Sequence, residues 1–251
     1  MIQLIRNGVL FCGCIALVAH SSNAEEVSAP QRERVTASFR HGVDGYQGTI
    51  DVEIWALAPT TILAGNPNAS SDADNDGGES QVLLRFDGII GAEQQQVPPN
   101  AVVHSARLLL SAFDQGSTVN LHRMLVPFDD SVTWNSVISG VSADGMEASR
   151  HKDSFTFGKI ATNSSEIIFD VTDTVQTWVN GEENHGWVFL NTGGNGWDFY
   201  VSEFDNVKQR PKLVMVYPAG ELRISKGCPQ PSLTGSAFAP TFAASPAVES
   251  S

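Results

Sequence analysis

The chain has 251 residues, of which 41% are hydrophobic, and 28 acidic residues against 15 basic ones give it a formal net charge of −13. This length and apolar content suffice for one core of ordinary domain size, about 50–250 residues. The acidic balance disfavours nucleic acid and anionic surfaces as partners, and it favours neutral molecules or divalent cations. Composition therefore indicates one acidic globular domain.

The first 24 residues have the layout of a secretory signal peptide. Arg6 supplies a positive start, residues 9–19 are apolar, and Ala24 ends a small-residue cleavage site. The apolar stretch is shorter than the roughly 20 residues that a membrane helix needs. We therefore expect a secreted, extracellular protein with no membrane attachment once residues 1–24 are removed.

Short apolar runs between turn-forming residues predict strands through most of the chain. Residues 25–34 are polar and are expected to form a flexible lead-in. Residues 49–55, TIDVEIW, alternate apolar and polar side chains as a half-buried strand does. The full set of predicted strands, in chain order, is 35–39, 49–55, 81–87, 101–113, 118–124, 167–171, 187–190, 198–202 and 212–217.

The connections between these strands carry further predictions. Turn residues at 114–117 predict that strands 101–113 and 118–124 pair as a β-hairpin. Residues 59–80 are rich in turn formers, and the Gly/Ser-rich stretch that ends at about 154 is predicted to form long loops.

One helix and a tail complete the prediction. Residues 173–179 predict a short helix, with Asp173 as its N-cap and Asn180-Gly181 at its end. Residues 218–251 are rich in Ala, Ser and Pro and are expected to be disordered. Cys228 lies in this tail and is the one cysteine left after signal cleavage, so no internal disulfide is expected.

The order of several motifs is familiar. The pieces are FRHGVDGYQGTIDVEIW, QVLLRFD, VPPNAVVHSARLLLSAF, SVTWN, FDVTDTVQTWVNG, GWVFL, and VSE followed by RPKLVMVY. This series resembles the DNRLRE-domain family, grouped with carbohydrate-binding modules of family 96, over residues 35–217. The resemblance implies a secreted, jelly-roll-like antiparallel β-sandwich, here all-β with one short helix. It also implies a non-catalytic module that binds extracellular polysaccharide, with a neighbouring secreted enzyme as a partner.

An acidic stretch, residues 72–78, has the oxygen ligands that a hard cation prefers. Asp72, Asp74 and Asp76 alternate along it before two glycines, and Glu79 follows closely. The position where an EF-hand loop needs its bidentate glutamate is Leu83, so no EF-hand is predicted. We expect a calcium ion with a structural role here, and the alternative is a solvated turn that binds no metal.

Sugar binding needs flat aromatic faces beside planar hydrogen-bonding groups. Trp197, within a glycine-rich turn, is expected to be an exposed platform, whereas three other tryptophans lie among apolar neighbours and are expected in the core. The predicted ligand-binding residues are Trp197, Trp55, Tyr200, His122 and Arg123.

The chain lacks the usual catalytic motifs, such as G-x-S-x-G, H-E-x-x-H and a phosphate-binding loop. We therefore expect no enzyme activity, although carboxylates distant in sequence can meet in a cleft. Two alternatives remain open: a structural or adhesive surface domain without specific sugar binding, and a hydrolase with unidentified carboxylates.

Overall fold

The computed structural model describes residues 33–156 and 166–219, which form an antiparallel all-β sandwich with one α-helix. The predicted signal peptide, nearly all of the lead-in and nearly all of the tail lie outside these residues. The elements are β1 Arg34–Arg40, β2 Thr49–Trp55, β3 Asn68–Asn75, β4 Gly78–Phe86, β5 Ser105–Asp114, β6 Val119–Met124, β7 Ala148–Phe155, β8 Glu166–Asp170, α1 Thr172–Val179, β9 Trp187–Asn191, β10 Trp197–Tyr200 and β11 Lys212–Pro218. All pairings between these strands are antiparallel, which confirms the predicted fold class.

The strands follow the order β1-β11-β5-β10-β3-β4-β9-β6-β7, with β2 added along β4 and β8 along β5. The first part of β5 pairs with β11 on one side and β8 on the other, and its last residues pair with β10. Strand β10 in turn pairs with β3. It therefore connects one half of the fold, strands β1, β5, β8 and β11, to the other half, strands β2, β3, β4, β6, β7 and β9. The end of β5 is therefore where the two halves meet.

Two apolar clusters hold the sandwich together. In β4, Val82, Leu84 and Phe86 pack into the larger cluster, and Leu83 between them packs into a smaller cluster on the opposite face. Because β4 is buried on both faces, its sequence is a continuous apolar run instead of an alternating one. The strand predicted at 81–87 is therefore confirmed, although it starts earlier, at Gly78.

The prediction of a turn-rich loop through residue 80 is wrong for β3. This strand, NASSDADN, has no apolar alternation, but it pairs with β4 and with β10. The turn between β3 and β4 is only Asp76-Gly77, and both residues have positive φ, +54° and +93°. Such two-residue turns match the twist of paired strands and fix a tight hairpin.

Two other loop predictions are also corrected. Strands β5 and β6 do not form a hairpin, because β5 pairs with β8, β10 and β11 while β6 pairs with β7 and β9. Residues 148–155, predicted to lie in a long loop, form β7, which ends the strand order beside β6. As a strand with one paired edge, β7 tolerates a polar sequence that gives no strand signal.

The helix is confirmed, with a corrected start. Its N-cap position is Val171, which makes no side-chain cap, and Asp173 lies within the first turn. An acid there is still favourable, because the first turn of a helix carries a partial positive charge. The predicted end is right, since Asn180 is the C-cap and Gly181 has a φ of +110°. Among the described residues, no helix is long and apolar enough to span a membrane.

Candidate functional site

Three aromatic rings form a cluster on the outer face where β5 meets β10. Tyr200 stacks on Phe204, with ring centroids 3.7 Å apart and planes 15° apart. Phe113 lies on Tyr200 at 4.8 Å with a tilt of 35°. Phe113 is 49% exposed and is not part of the buried core. Tyr200 and Phe204 are half-buried. A cluster of aromatic rings that reaches the surface is the kind of feature that binds partners. We call these three residues the aromatic patch.

A β-bulge at Phe113 brings Asp114 to the same exposed face as Phe113. Phe199 pairs with Ala112 and Asp198 pairs with Asp114, so Phe113 is the extra residue on its strand. In a regular strand, neighbouring side chains point to opposite faces, and a bulge changes the direction of the side chains around it. Accordingly Phe113 and Asp114 are both exposed, whereas Ala112 and Phe199 pack in the core.

Polar groups surround the aromatic patch. Asp114 lies beside Asp198 across the bulge, and Asn68 of β3 pairs with Tyr200. Asn68 and Asp114 are exposed, and Asp198 is half-buried. Flat rings cover the apolar side of a sugar, while carboxylate and amide oxygens accept hydrogen bonds from its hydroxyl groups. Of the predicted ligand-binding residues, Tyr200 alone lies in this patch.

The prediction that Trp197 is an exposed platform is wrong. Its side chain is 2% exposed and packs in the larger core cluster, on the opposite face of β10 from Tyr200 and Asp198. The indole Nε1 is buried and finds no hydrogen-bond partner among the described residues. A ring in this position cannot stack on a ligand from solvent.

The glycines before Trp197 serve close packing instead of ligand access. A Cβ on Gly196 would lie 2.6 Å from the Cβ of Asp72, and a Cβ on Gly116 would overlap the carbonyl of Asn195. The Ser117 amide donates to that same carbonyl at 2.6 Å. The turn at 193–196 thus packs between β3 and the end of β5. A side chain at position 116 or 196 would prevent this packing.

The other predicted ligand-binding residues lie apart from the aromatic patch in internal contacts. Trp55 is half-buried, and its Nε1 donates to the Asn75 carbonyl at 3.3 Å. His122 is buried, with Nδ1 2.8 Å from the Ser149 carbonyl oxygen. Arg123 is partly exposed in a cleft of about 280 Å³, and its Nη1 donates to Thr177 at 2.8 Å and to Glu182 at 2.7 Å.

The predicted calcium ligands are spread along the β3–β4 hairpin. Asp72 Oδ1 accepts a hydrogen bond from the Asp74 amide at 3.0 Å, and Glu79 Oε1 accepts one from Gln81 at 2.8 Å. Asp76 is exposed in the turn. Within residues 33–156 and 166–219, no group of three or more His, Cys, Asp or Glu side chains is placed to hold a metal ion. The calcium site therefore stays a prediction.

The buried carboxylate of Asp51, on β2, contacts Ser202, which lies between Tyr200 and Phe204. Both oxygens of Asp51 accept hydrogen bonds from Ser202, one from its amide at 2.9 Å and one from its hydroxyl at 3.0 Å. That hydroxyl is also 3.0 Å from Glu203 Oε1, and its single proton can serve only one carboxylate. Burial raises the pKa of Asp51, and the Glu203 carboxylate raises it further.

Glu53, two residues further along β2, is also a largely buried carboxylate that accepts a hydrogen bond from a backbone amide. Its Oε2 accepts a hydrogen bond from the Ser70 amide at 2.9 Å. Burial raises the pKa of Glu53 to about 7, and the Asp198 carboxylate adds to this effect while the Ser70 amide opposes it. A carboxyl group with this pKa holds its proton in mildly acidic solution.

A separate cleft of about 490 Å³ lies between β7 and the start of α1, and its lining includes Asp153, Asp170 and Asp173. Asp153 Oδ2 accepts hydrogen bonds from the Thr174 hydroxyl at 2.5 Å and from Trp187 Nε1 at 2.8 Å. These bonds connect β7, α1 and β9 through one carboxylate. We interpret Asp153 as a buried structural acceptor, because its bonds satisfy a buried indole and a buried hydroxyl.

Sequence reasoning missed Phe113 and Phe204. The even-numbered residues Leu108 and Leu110 of β5 face the core, so alternation alone would have placed Phe113 on the outer face. The alternation is hard to see because residues 101–113 are mostly apolar. Phe204 lies beyond β10, where no periodic pattern indicates its position.

A comparison with models of known protein families found none that matches this chain, and a comparison with curated proteins found no significant relative.

Proposed function

We propose that this protein is a secreted, non-catalytic module that binds extracellular polysaccharide through the aromatic patch of Phe113, Tyr200 and Phe204. The single observation that carries the proposal is the contact of exposed Phe113 with the half-buried, stacked rings of Tyr200 and Phe204, beside Asp114, Asp198 and Asn68. The resemblance to the DNRLRE-domain family and the signal-like residues 1–24 support polysaccharide as the ligand and the extracellular space as the location.

The rings supply a surface on which a sugar can stack, and the neighbouring polar groups supply hydrogen-bond acceptors that orient it. Tyr200 is half-buried and stacks on Phe204, whereas Phe113 is about half exposed, so Phe113 presents the most accessible ring of the patch. Asp114 and Asn68 present exposed acceptors on either side of Tyr200. Because Phe113 and Tyr200 lie on paired strands, their backbone positions are set before a ligand arrives, which lowers the entropic cost of binding.

The test is affinity electrophoresis of the secreted protein through gels that each contain one soluble polysaccharide. We expect retarded migration on at least one polysaccharide, and Phe113→Ala should weaken that binding about tenfold, equivalent to about 1.4 kcal/mol. Phe155→Ala is the matched control, because Phe155 is also an exposed aromatic side chain but lies on β7. Unretarded migration on every polysaccharide would favour an adhesive domain without sugar binding. Equal binding by Phe113→Ala and the wild type would exclude the patch.

A further inference from the structure

Carboxylates line one side of the aromatic patch, across neighbouring strands. Asp114 of β5 pairs with Asp198 of β10, and the next strand, β3, carries Asp72. Burial raises the pKa of Asp198, a hydrogen bond with Ser70 opposes this, and the nearby charges of Asp114 and Asp72 raise it further. Asp198 thus lies in a field of like charge, which an incoming positive charge would relieve.

No described basic side chain forms an ion pair with these carboxylates. The three ion pairs in the described part of the chain are Arg85–Asp87, Arg123–Glu182 and His185–Glu183, all on other elements. The Arg210 side chain is near the patch, but its Nε donates to the Phe204 carbonyl at 2.6 Å and its Nη1 donates to the His41 carbonyl at 3.2 Å.

Other basic residues on the outer face lie further along the strands. Lys212 is opposite Leu109, and Arg107 lies beyond it towards the start of β5. Arg107 is six residues from Phe113, about 20 Å along an extended strand, which exceeds the screening length of about 8 Å at physiological ionic strength. Arg210 is the nearer cation, but it donates to backbone carbonyls, and no described ion pair includes Asp114 or Asp198, so these carboxylates can pair with a cationic ligand.

We propose that the aromatic patch binds a polysaccharide with free amino groups, an amino-sugar polymer. This inference rests on the proposed function and names the ligand class of the same site. An ammonium group beside Asp114 and Asp198 forms charge-assisted hydrogen bonds, which are shorter and stronger than neutral ones. Sugar rings stack on Phe113, and ammonium groups are also attracted to the faces of aromatic rings. The net charge of −13 raises the local concentration of a cationic polymer near the protein.

The test is isothermal titration of the full chain with four soluble ligands: glucosamine oligomers, their N-acetylated forms, a neutral glucan and a uronate polymer. We expect the glucosamine oligomers to bind at least tenfold more tightly than the acetylated forms in 50 mM salt. This preference should shrink in 500 mM salt, because screening weakens contacts between exposed charges. These comparisons use the wild-type protein and do not depend on any variant folding.

Substitutions test whether the preference for free amines depends on the carboxylates beside the aromatic patch. Asp114→Asn with Asp198→Asn should remove the preference for free amines, and Asp130→Asn should keep it, because Asp130 is an exposed carboxylate elsewhere in the chain. Phe113→Ala should weaken binding of the glucosamine oligomers. If it does not, the binding is a non-specific charge effect and the inference is wrong.

The outcomes separate the two proposals. If the acetylated or neutral ligands bind as tightly as the amines and Phe113→Ala weakens them, the amino-sugar inference fails and the proposed function stands. Tighter binding of the uronate polymer also overturns the inference. If no ligand binds, the amino-sugar inference fails, and the gel assay on other polysaccharides decides the proposed function.

Discussion

Replacing Glu53 by glutamine should make the protein more stable in neutral and alkaline solution. Glu53 is largely buried against β3, and burial raises its pKa from 4.5 to about 7. A difference of this size between the folded and unfolded states is worth about 3 kcal/mol, at 1.36 kcal/mol for each pKa unit. Glutamine resembles the protonated acid, keeps an oxygen for the Ser70 amide and carries no charge to bury.

The sign of the effect follows from linkage. Because the pKa of Glu53 is higher in the folded state, its favourable contribution is fully present below pH 4.5 and is lost as the pH rises through 7. The wild type and Glu53→Gln should therefore have the same free energy of unfolding near pH 4. At pH 8 the variant should be more stable, by up to about 3 kcal/mol.

Urea unfolding at pH 4, 6 and 8 measures this difference directly, because the linear extrapolation gives the free energy of unfolding at each pH. Glu93→Gln is the matched control, since Glu93 is exposed and this change should alter stability little at any pH. A constant difference between the wild type and Glu53→Gln from pH 4 to pH 8 would refute the reasoning. Asp51 titrates in both proteins, so its contribution cancels in this comparison, whereas the repulsion between Glu53 and Asp198 is part of the measured difference.

Two further predictions concern stability. Gly116→Ala should lower the free energy of unfolding by about 1–3 kcal/mol, because its methyl group would overlap the Asn195 carbonyl, and an unchanged urea midpoint would contradict this packing. If calcium binds at Asp72, Asp74, Asp76 and Glu79, EDTA should lower the Tm and added calcium should restore it. The same melting curve with and without EDTA would reject a stabilising ion.

The fold was predictable where apolar side chains recur with the strand period. β2 was predicted with its observed bounds, Thr49–Trp55, because one face packs against the smaller core cluster and polar residues alternate with it. β3 and β7 could not be predicted, because their strand conformation comes from pairing with neighbours and their sequences carry little apolar signal. The conformation of β3 and β7 is thus determined by pairing with neighbouring strands and not by the strand preference of their own residues.

The candidate site was predicted less well than the fold. Tyr200 was identified from its alternation in a strand, but Trp197 was placed on the wrong face because its glycine neighbours were interpreted as an open turn. Those glycines instead allow close packing against the side chains of Asp72, Asp74 and Ser117, which lie far away in sequence. The outward position of Phe113 follows from alternation in β5, but the exposure of Asp114 depends on a bulge in the pairing of β5 with β10, which cannot be predicted from one strand alone.

The central claim is that the aromatic patch binds the sugar. Amide chemical shifts of the labelled protein, followed by NMR during titration with a glucosamine oligomer, test it most directly. We expect the largest shifts at Phe113, Asp114, Asp198, Tyr200 and Phe204. Shifts that concentrate instead around Trp55 or Arg123, with none at Phe113 and Tyr200, would contradict the account.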